Sequence, residues 1–151
     1  MTCYEKNIFR TLVIFSCLFL GTESLSLAAD GQPEGIVGKT RSETFISGEE
    51  TSWQPAGEGV CRQIMGYDGN VMLVKVKFKK GAQGTPHTHF HTQTTYVASG
   101  KFEFTVGGEK RIVKAGDSIY MEPNVLHGCV CLKPGILIDC FSPMRSDFLK
   151  Q

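Results

Sequence analysis

Val71-Met72-Leu73-Val74-Lys75-Val76-Lys77-Phe78-Lys79 sets the class of fold. Met72, Val74, Val76 and Phe78 fall on one face and Leu73, Lys75, Lys77 and Lys79 on the other. That period of two, rich in β-branched residues, suits a half-buried strand and not a helix. Just before it, Tyr67-Asp68-Gly69-Asn70 has the composition of a tight turn, which makes Val60–Gly66 its hairpin partner. Downstream, Phe102, Phe104 and Val106 alternate with polar residues until Gly107-Gly108 turns the chain into Lys110–Lys114. Turn compositions recur at Ala115-Gly116-Asp117, Pro123-Asn124 and Lys133-Pro134-Gly135, leaving short strands at Ser118–Met121, His127–Leu132 and Ile136–Phe141. One more strand is expected around Thr44–Ile46. From Trp53 to Ser142 no ten-residue stretch carries the 3.6 period of a helix, and the tail from Pro143 has room for one helical turn. Short strands at near-regular spacing predict an all-β, single-domain protein, an antiparallel sandwich or jelly-roll β-barrel.

The N-terminus reads differently. Lys6 and Arg10 precede the apolar run Leu12–Leu20, and Ser26-Leu27-Ala28-Ala29 closes it with small residues. A basic start, a short apolar centre and a Ser-x-Ala exit predict a signal peptide over residues 1–28. About ten apolar residues are too few to span a bilayer, and Phe15 fits poorly in a lipoprotein site at Cys17. The expected mature chain is therefore periplasmic or secreted, with no membrane contact after processing. Residues 29–52 form a polar lead-in and residues 53–151 the β-domain. A formal charge of +1, with 16 Lys+Arg against 15 Asp+Glu, excludes a nucleic-acid binder. The open sheet of such a domain has edges to cover, which predicts a homodimer.

All four histidines lie between His87 and His127. In Gly84-Thr85-Pro86-His87-Thr88-His89-Phe90-His91-Thr92-Gln93, three imidazoles fall at alternate positions, which share a face in an extended chain. Imidazoles at i and i+2, joined by His127 from another strand, suit a divalent transition metal ion. On the last strand Leu137, Asp139 and Phe141 share one face, and Arg145 follows. If His127 points inward, parity turns Cys129 and Cys131 inward too, as reduced thiols on the cavity floor. If Asp139 also points inward, Cys140 points outward, which disfavours a Cys131–Cys140 disulfide.

The string His87-x-His89-x3-Gln93-x6-Gly100 resembles the first cupin motif, with Gln93 where glutamate is more usual. Gly116-Asp117-x9-His127 resembles the second, with Glu122 where proline is common. The resemblance runs from about Trp53 to Phe148 and implies a cupin-type jelly-roll β-barrel holding one metal ion through His87, His89, Gln93 and His127. His91 is extra to that set, a supporting group or a substitute for His89. With a neutral amide in place of a carboxylate, the ion keeps its full charge, which favours Lewis-acid chemistry over high oxidation states. Ni, Zn, Mn and Fe all suit these donors.

Asp139-x-Phe141-Ser142-Pro143-x-Arg145, with Gln93-x2-Tyr96-Val97 and Phe102-Glu103-Phe104-Thr105, is similar to the small cupins of the KdgF type. That likeness implies conversion of cyclic 4,5-unsaturated uronate monosaccharides, released from pectin or alginate, to linear keto-uronates. It implies Asp139 as acid/base, Arg145 as the partner of the small acidic sugar's carboxylate, and Phe141 as an apolar wall. Another metal cupin enzyme, a dioxygenase or lyase, or a non-catalytic small-molecule-binding cupin are the alternatives that the fold leaves open.

Overall fold

Two long antiparallel strands organise residues 41–150, the part of the chain that the computed structural model describes. The expected signal peptide, residues 1–28, lies outside the described residues. In chain order the strands are β1 (Gln54–Gly57), β2 (Val60–Tyr67), β3 (Met72–Phe78), β4 (Gln83–His87), β5 (Thr92–Val106), β6 (Glu109–Lys114), β7 (Ser118–Met121) and β8 (His127–Ser142). A single 3-10 turn, Ser146–Leu149, follows. β5 and β8 pair from Thr92↔Ser142 to Val106↔His127. Their two halves have different outer neighbours. The first half of β5 and the second half of β8 are flanked by β7 and β3, and the other halves by β6 and β4. The β5–β8 ribbon thus serves both faces of a jelly roll, with β1 and β2 extending the side of β3.

The ribbon has to bend to do this, and the bend is built from glycine. Register shifts fall between Val97 and Phe102 on β5, opposite Lys133 to Ile136 on β8. A Cβ on Gly100, where φ is +88°, would lie 2.6 Å from the Gly135 Cα and 2.7 Å from the Lys133 carbonyl oxygen. A Cβ on Gly135 would collide with the Ser99 carbonyl oxygen. The Ile136 N–H, displaced from the regular ladder, donates to Ser99 Oγ at 3.0 Å. Here the sequence expectation needs correcting: Lys133-Pro134-Gly135 is not a turn between two strands but the corner of one. Proline and glycine serve both uses, since each breaks the regular ladder.

The expected alternation holds through that corner. His127, Cys129, Cys131, Leu137, Asp139 and Phe141 share one parity, and all but half-buried Asp139 are buried. Phe102 and Met72 are fully buried in the core between the sheets, and Phe78 meets Phe102 edge to face at 5.4 Å. Fully burying one such side chain contributes about 1.5–3 kcal/mol. Residues 44–46 are not a strand, and Phe45 is exposed. Their segment instead lies over β2, where Gln63 Nε2 donates to the Gly48 carbonyl at 2.9 Å and Tyr67 N–H to Ser42 Oγ at 3.1 Å.

Cys129, Cys131 and Cys140 are free thiols. The first two belong to the apolar core, so they sit within the barrel packing instead of forming the cavity wall. Burial pushes the Cys129 thiol up to about 12 and raises that of Cys131. Since the thiolate is the reactive species, both should resist maleimide at pH 8 in the native protein and react after denaturation. Peptide mapping that finds Cys129 modified in the folded state would contradict this packing.

Candidate active site

β4 was not expected from the sequence, and it is the strand that assembles the histidines. It pairs antiparallel with the start of β8, setting His87 directly across from His127. Their ring centroids are 4.5 Å apart. The chain leaves the sheet after His87 and brings His89 back to 4.9 Å from the His127 ring. One nitrogen from each of His87, His89 and His127 falls within 4.8 Å of the others. His91 is outside this group. The alternation that would align it ends with β4, and its ring is buried, stacked on Phe90 at 3.9 Å.

The second nitrogens show which atoms are available. His87 Nδ1 lies 2.8 Å from the Thr85 carbonyl, His127 Nδ1 2.8 Å from that of Val125, and His89 Nδ1 3.2 Å from that of His91. A carbonyl at Nδ1 fixes the proton there and leaves Nε2 as the lone-pair donor, the usual support of a metal-bound imidazole. His127 Nε2 is buried and has no hydrogen-bond partner. Burial lowers the pKa of His89 and His127, keeping both rings neutral and able to act as ligands.

Gln93 completes the set. It projects inward from β5, buried, with Oε1 3.0 Å from His89 Nε2 and Nε2 donating to Thr95 Oγ1 at 3.1 Å. The Thr95 hydroxyl in turn donates to Asp139 Oδ1 at 2.6 Å. This chain orients the amide so that its oxygen faces the histidines. A neutral His89 has one N–H for two facing acceptors, the His91 carbonyl and Gln93 Oε1. A cation among the Nε2 atoms and Oε1 removes that mismatch and engages the orphaned His127 Nε2. The four residues therefore fit a divalent metal ion.

A cavity of about 290 Å³ opens beside them. Five of the seven residues singled out in the sequence, His87, Gln93, Asp139, Phe141 and Arg145, are on its wall. Asp139 is raised to about 6, chiefly by burial, against the opposing hydrogen bonds from Thr95 and Gln93 and the charge of Arg145. Phe141 sets its ring edge to face with His89 at 5.7 Å. Arg145 is mostly buried, and its Nε and Nη2 donate to the two oxygens of Asp147 at 2.9 and 2.8 Å. Asp147 is held below the usual carboxylate range by that pairing.

The sequence reading passed over Thr95, Arg62 and Phe148. Arg62 was the most accessible of these: it sits between Val60 and Ile64 on the inward face of β2, opposite Val76. A charge on the apolar side of a strand is itself a signal. Thr95 shares the parity of Gln93 and Val97, but only the fold shows what its hydroxyl joins.

A jelly roll with three histidines and an amide converging inside it is the architecture of a cupin, and residues 74–140 match the cupin domain family. Within that class, the chain belongs to the KdgF family. It is 50% identical over 107 residues to the "Pectin degradation protein KdgF" of Dickeya dadantii, covering 70% of this chain and 97% of that one. Among solved structures it resembles KdgF from Halomonas sp., at 40% identity and TM-score 0.68, over 71% of this chain and 99% of the other. It also resembles an RmlC-like cupin from Shewanella frigidimarina, at 46% identity and TM-score 0.71, over 72% and 98%.

Proposed function

We propose that this protein converts cyclic 4,5-unsaturated uronate monosaccharides to their linear keto forms with the help of one divalent metal ion. One observation carries the reading: a half-buried carboxyl, Asp139, is hydrogen-bonded through Thr95 to the amide of Gln93, beside the histidine triad and on the same cavity wall. The relative named for pectin degradation points to the same class of sugar acid.

His87, His89, Gln93 and His127 would hold the ion, which supplies Lewis-acid polarisation of a substrate oxygen when bound. The remaining steps belong to side chains. Opening the hemiacetal removes the proton of the anomeric hydroxyl as the ring C–O bond breaks, leaving the former ring oxygen as an enolate. Ketonisation then places a proton on the adjacent carbon. Asp139 accepts the first proton and delivers the second, so the reaction is proton-neutral overall. Thr95 and Gln93 hold the carboxylate in place by donating to it. Phe141 supplies a flat apolar wall to the sugar ring, and the arginine end of the cavity faces the substrate's own carboxylate.

Metal-loaded protein should accelerate the loss of ultraviolet absorbance of an unsaturated monouronate; decay at the buffer rate would overturn the reading. Dialysis against a chelator should abolish the rate and one equivalent of divalent metal should restore it. His127→Ala should lose both metal and activity, and full activity in the metal-free protein would exclude this role for the histidines.

A further inference from the structure

Two guanidinium groups gather around the Phe148 ring. The guanidinium carbon of Arg62 lies 3.8 Å from the ring centroid and that of Arg145 4.2 Å. Asp147 pairs with Arg145. Both arginines and Phe148 line the 290 Å³ cavity. The two guanidinium groups differ in what they have left to offer. Arg145 has Nε and Nη2 engaged by Asp147, the side-on fork that a carboxylate prefers. Arg62 has only Nε engaged, by Gln54 Oε1 at 3.3 Å, and among the described residues no carboxylate lies within ion-pair range of it. Arg145 thus has its own anion in Asp147 and also feels Asp139 on the same wall, whereas Arg62 has no carboxylate paired with it among the described residues.

We propose that Arg62 is the recognition residue for the substrate's carboxylate, receiving it on the paired Nη1 and Nη2, which no group among the described residues engages. Arg145, fixed by Asp147, forms the stacked wall beside it. This rests on the uronate reading above and sharpens it: selectivity for the free acid over an esterified or neutral sugar comes from β2, not from the C-terminal motif. Phe148 orients both guanidinium planes through cation–π contact. Burial lowers the Arg62 pKa, the Asp147 charge opposes that, and the Arg145 charge adds to it; an arriving anion offsets the lost hydration of the guanidinium.

The test compares wild type with Arg62→Met and Arg62→Lys, all as full chains loaded with metal. Turnover is measured on the unsaturated uronate and on its methyl ester; calorimetric binding is measured with galacturonate and with its methyl ester. Wild type should prefer the acid by roughly thirtyfold or more, the scale of a charge-assisted bidentate pair. Arg62→Met should bring the acid down to the level of the ester, through KM with kcat little changed, and leave the ester and the metal content as they were. Arg62→Lys, which keeps charge without the fork, should retain part of the preference and serves alone if the Met variant does not fold. A structural pin for the tail would instead weaken acid and ester alike. That result, an undiminished preference in Arg62→Met, or no preference in wild type would overturn the proposal. If wild type opens no uronate, the galacturonate arm decides alone: an Arg62-dependent preference keeps the recognition role and dismisses the reaction, and its absence dismisses the recognition role.

Discussion

Exchanging Asp139 for Asn should lower kcat on the unsaturated uronate by roughly 10²–10⁴-fold, the usual contribution of a positioned proton-transfer group. The variant keeps the shape of the side chain and an oxygen to accept the Thr95 hydroxyl, so the path from Gln93 to position 139 survives in outline. It loses the ability to take up and release a proton. Metal content should stay at the wild-type level, because the proposed ligand atoms belong to His87, His89, Gln93 and His127. The melting temperature should not fall, since a half-buried ionisable group is replaced by a neutral one in the same place. Metal analysis and steady-state rates on one preparation separate the outcomes. A rate within a few-fold of wild type would remove Asp139 from the chemistry, and joint loss of metal and fold would assign it a structural role.

Gly135→Ala should be the most damaging single methyl group in the barrel. The added carbon meets the Ser99 carbonyl oxygen and sits 2.7 Å from the Gly100 Cα, so both obstacles are backbone. Backbone here cannot retreat without opening the β5–β8 ladder that both faces share. Overpacking of this kind costs about 3 kcal/mol or more, against a total stability of about 5–15 kcal/mol for a domain. A fall in Tm of about 10 °C or more follows for a domain of this size. Gly69→Ala is the matched control, since an added Cβ there meets nothing within 4 Å. Thermal denaturation of the two side by side decides it, and equal melting temperatures would show that the crossing has room.

The parts of the fold legible in the sequence were those governed by a local period. The β2–β3 hairpin is readable because its apolar alternation and Asp68-Gly69 turn sit next to each other, and Asp68 Oδ1 accepts from the Asn70 N–H at 2.8 Å as such a turn requires. The three converging histidines were readable because their chemistry is rare and clustered. What failed was whatever depends on a partner distant in sequence. The Lys133–Gly135 corner has the composition of a turn, and only Ser99 and Gly100 across the ribbon make it a bend. β4 is short and holds Gly84 and Pro86, so nothing local marks it as a strand. Its extended form comes from pairing with β8. His91 could share a face with His89 only while the chain stays extended, and the chain is no longer a strand there, so it stays outside the histidine group as the motif spacing implied.

β4 also has a consequence for how the molecule withstands metal starvation. It is five residues long, mostly exposed, and carries a register break between Gly84 and His87. Two of the three imidazoles sit on it or just after it, and the third begins β8. Any ion they share would therefore work as a clasp between a short, exposed rim and the longest strand of the barrel. By linkage, the local stability of that rim follows the concentration of free metal. On the proposed reading, scarcity of the ion removes more than a reagent: it loosens the rim of the cavity beside the histidines.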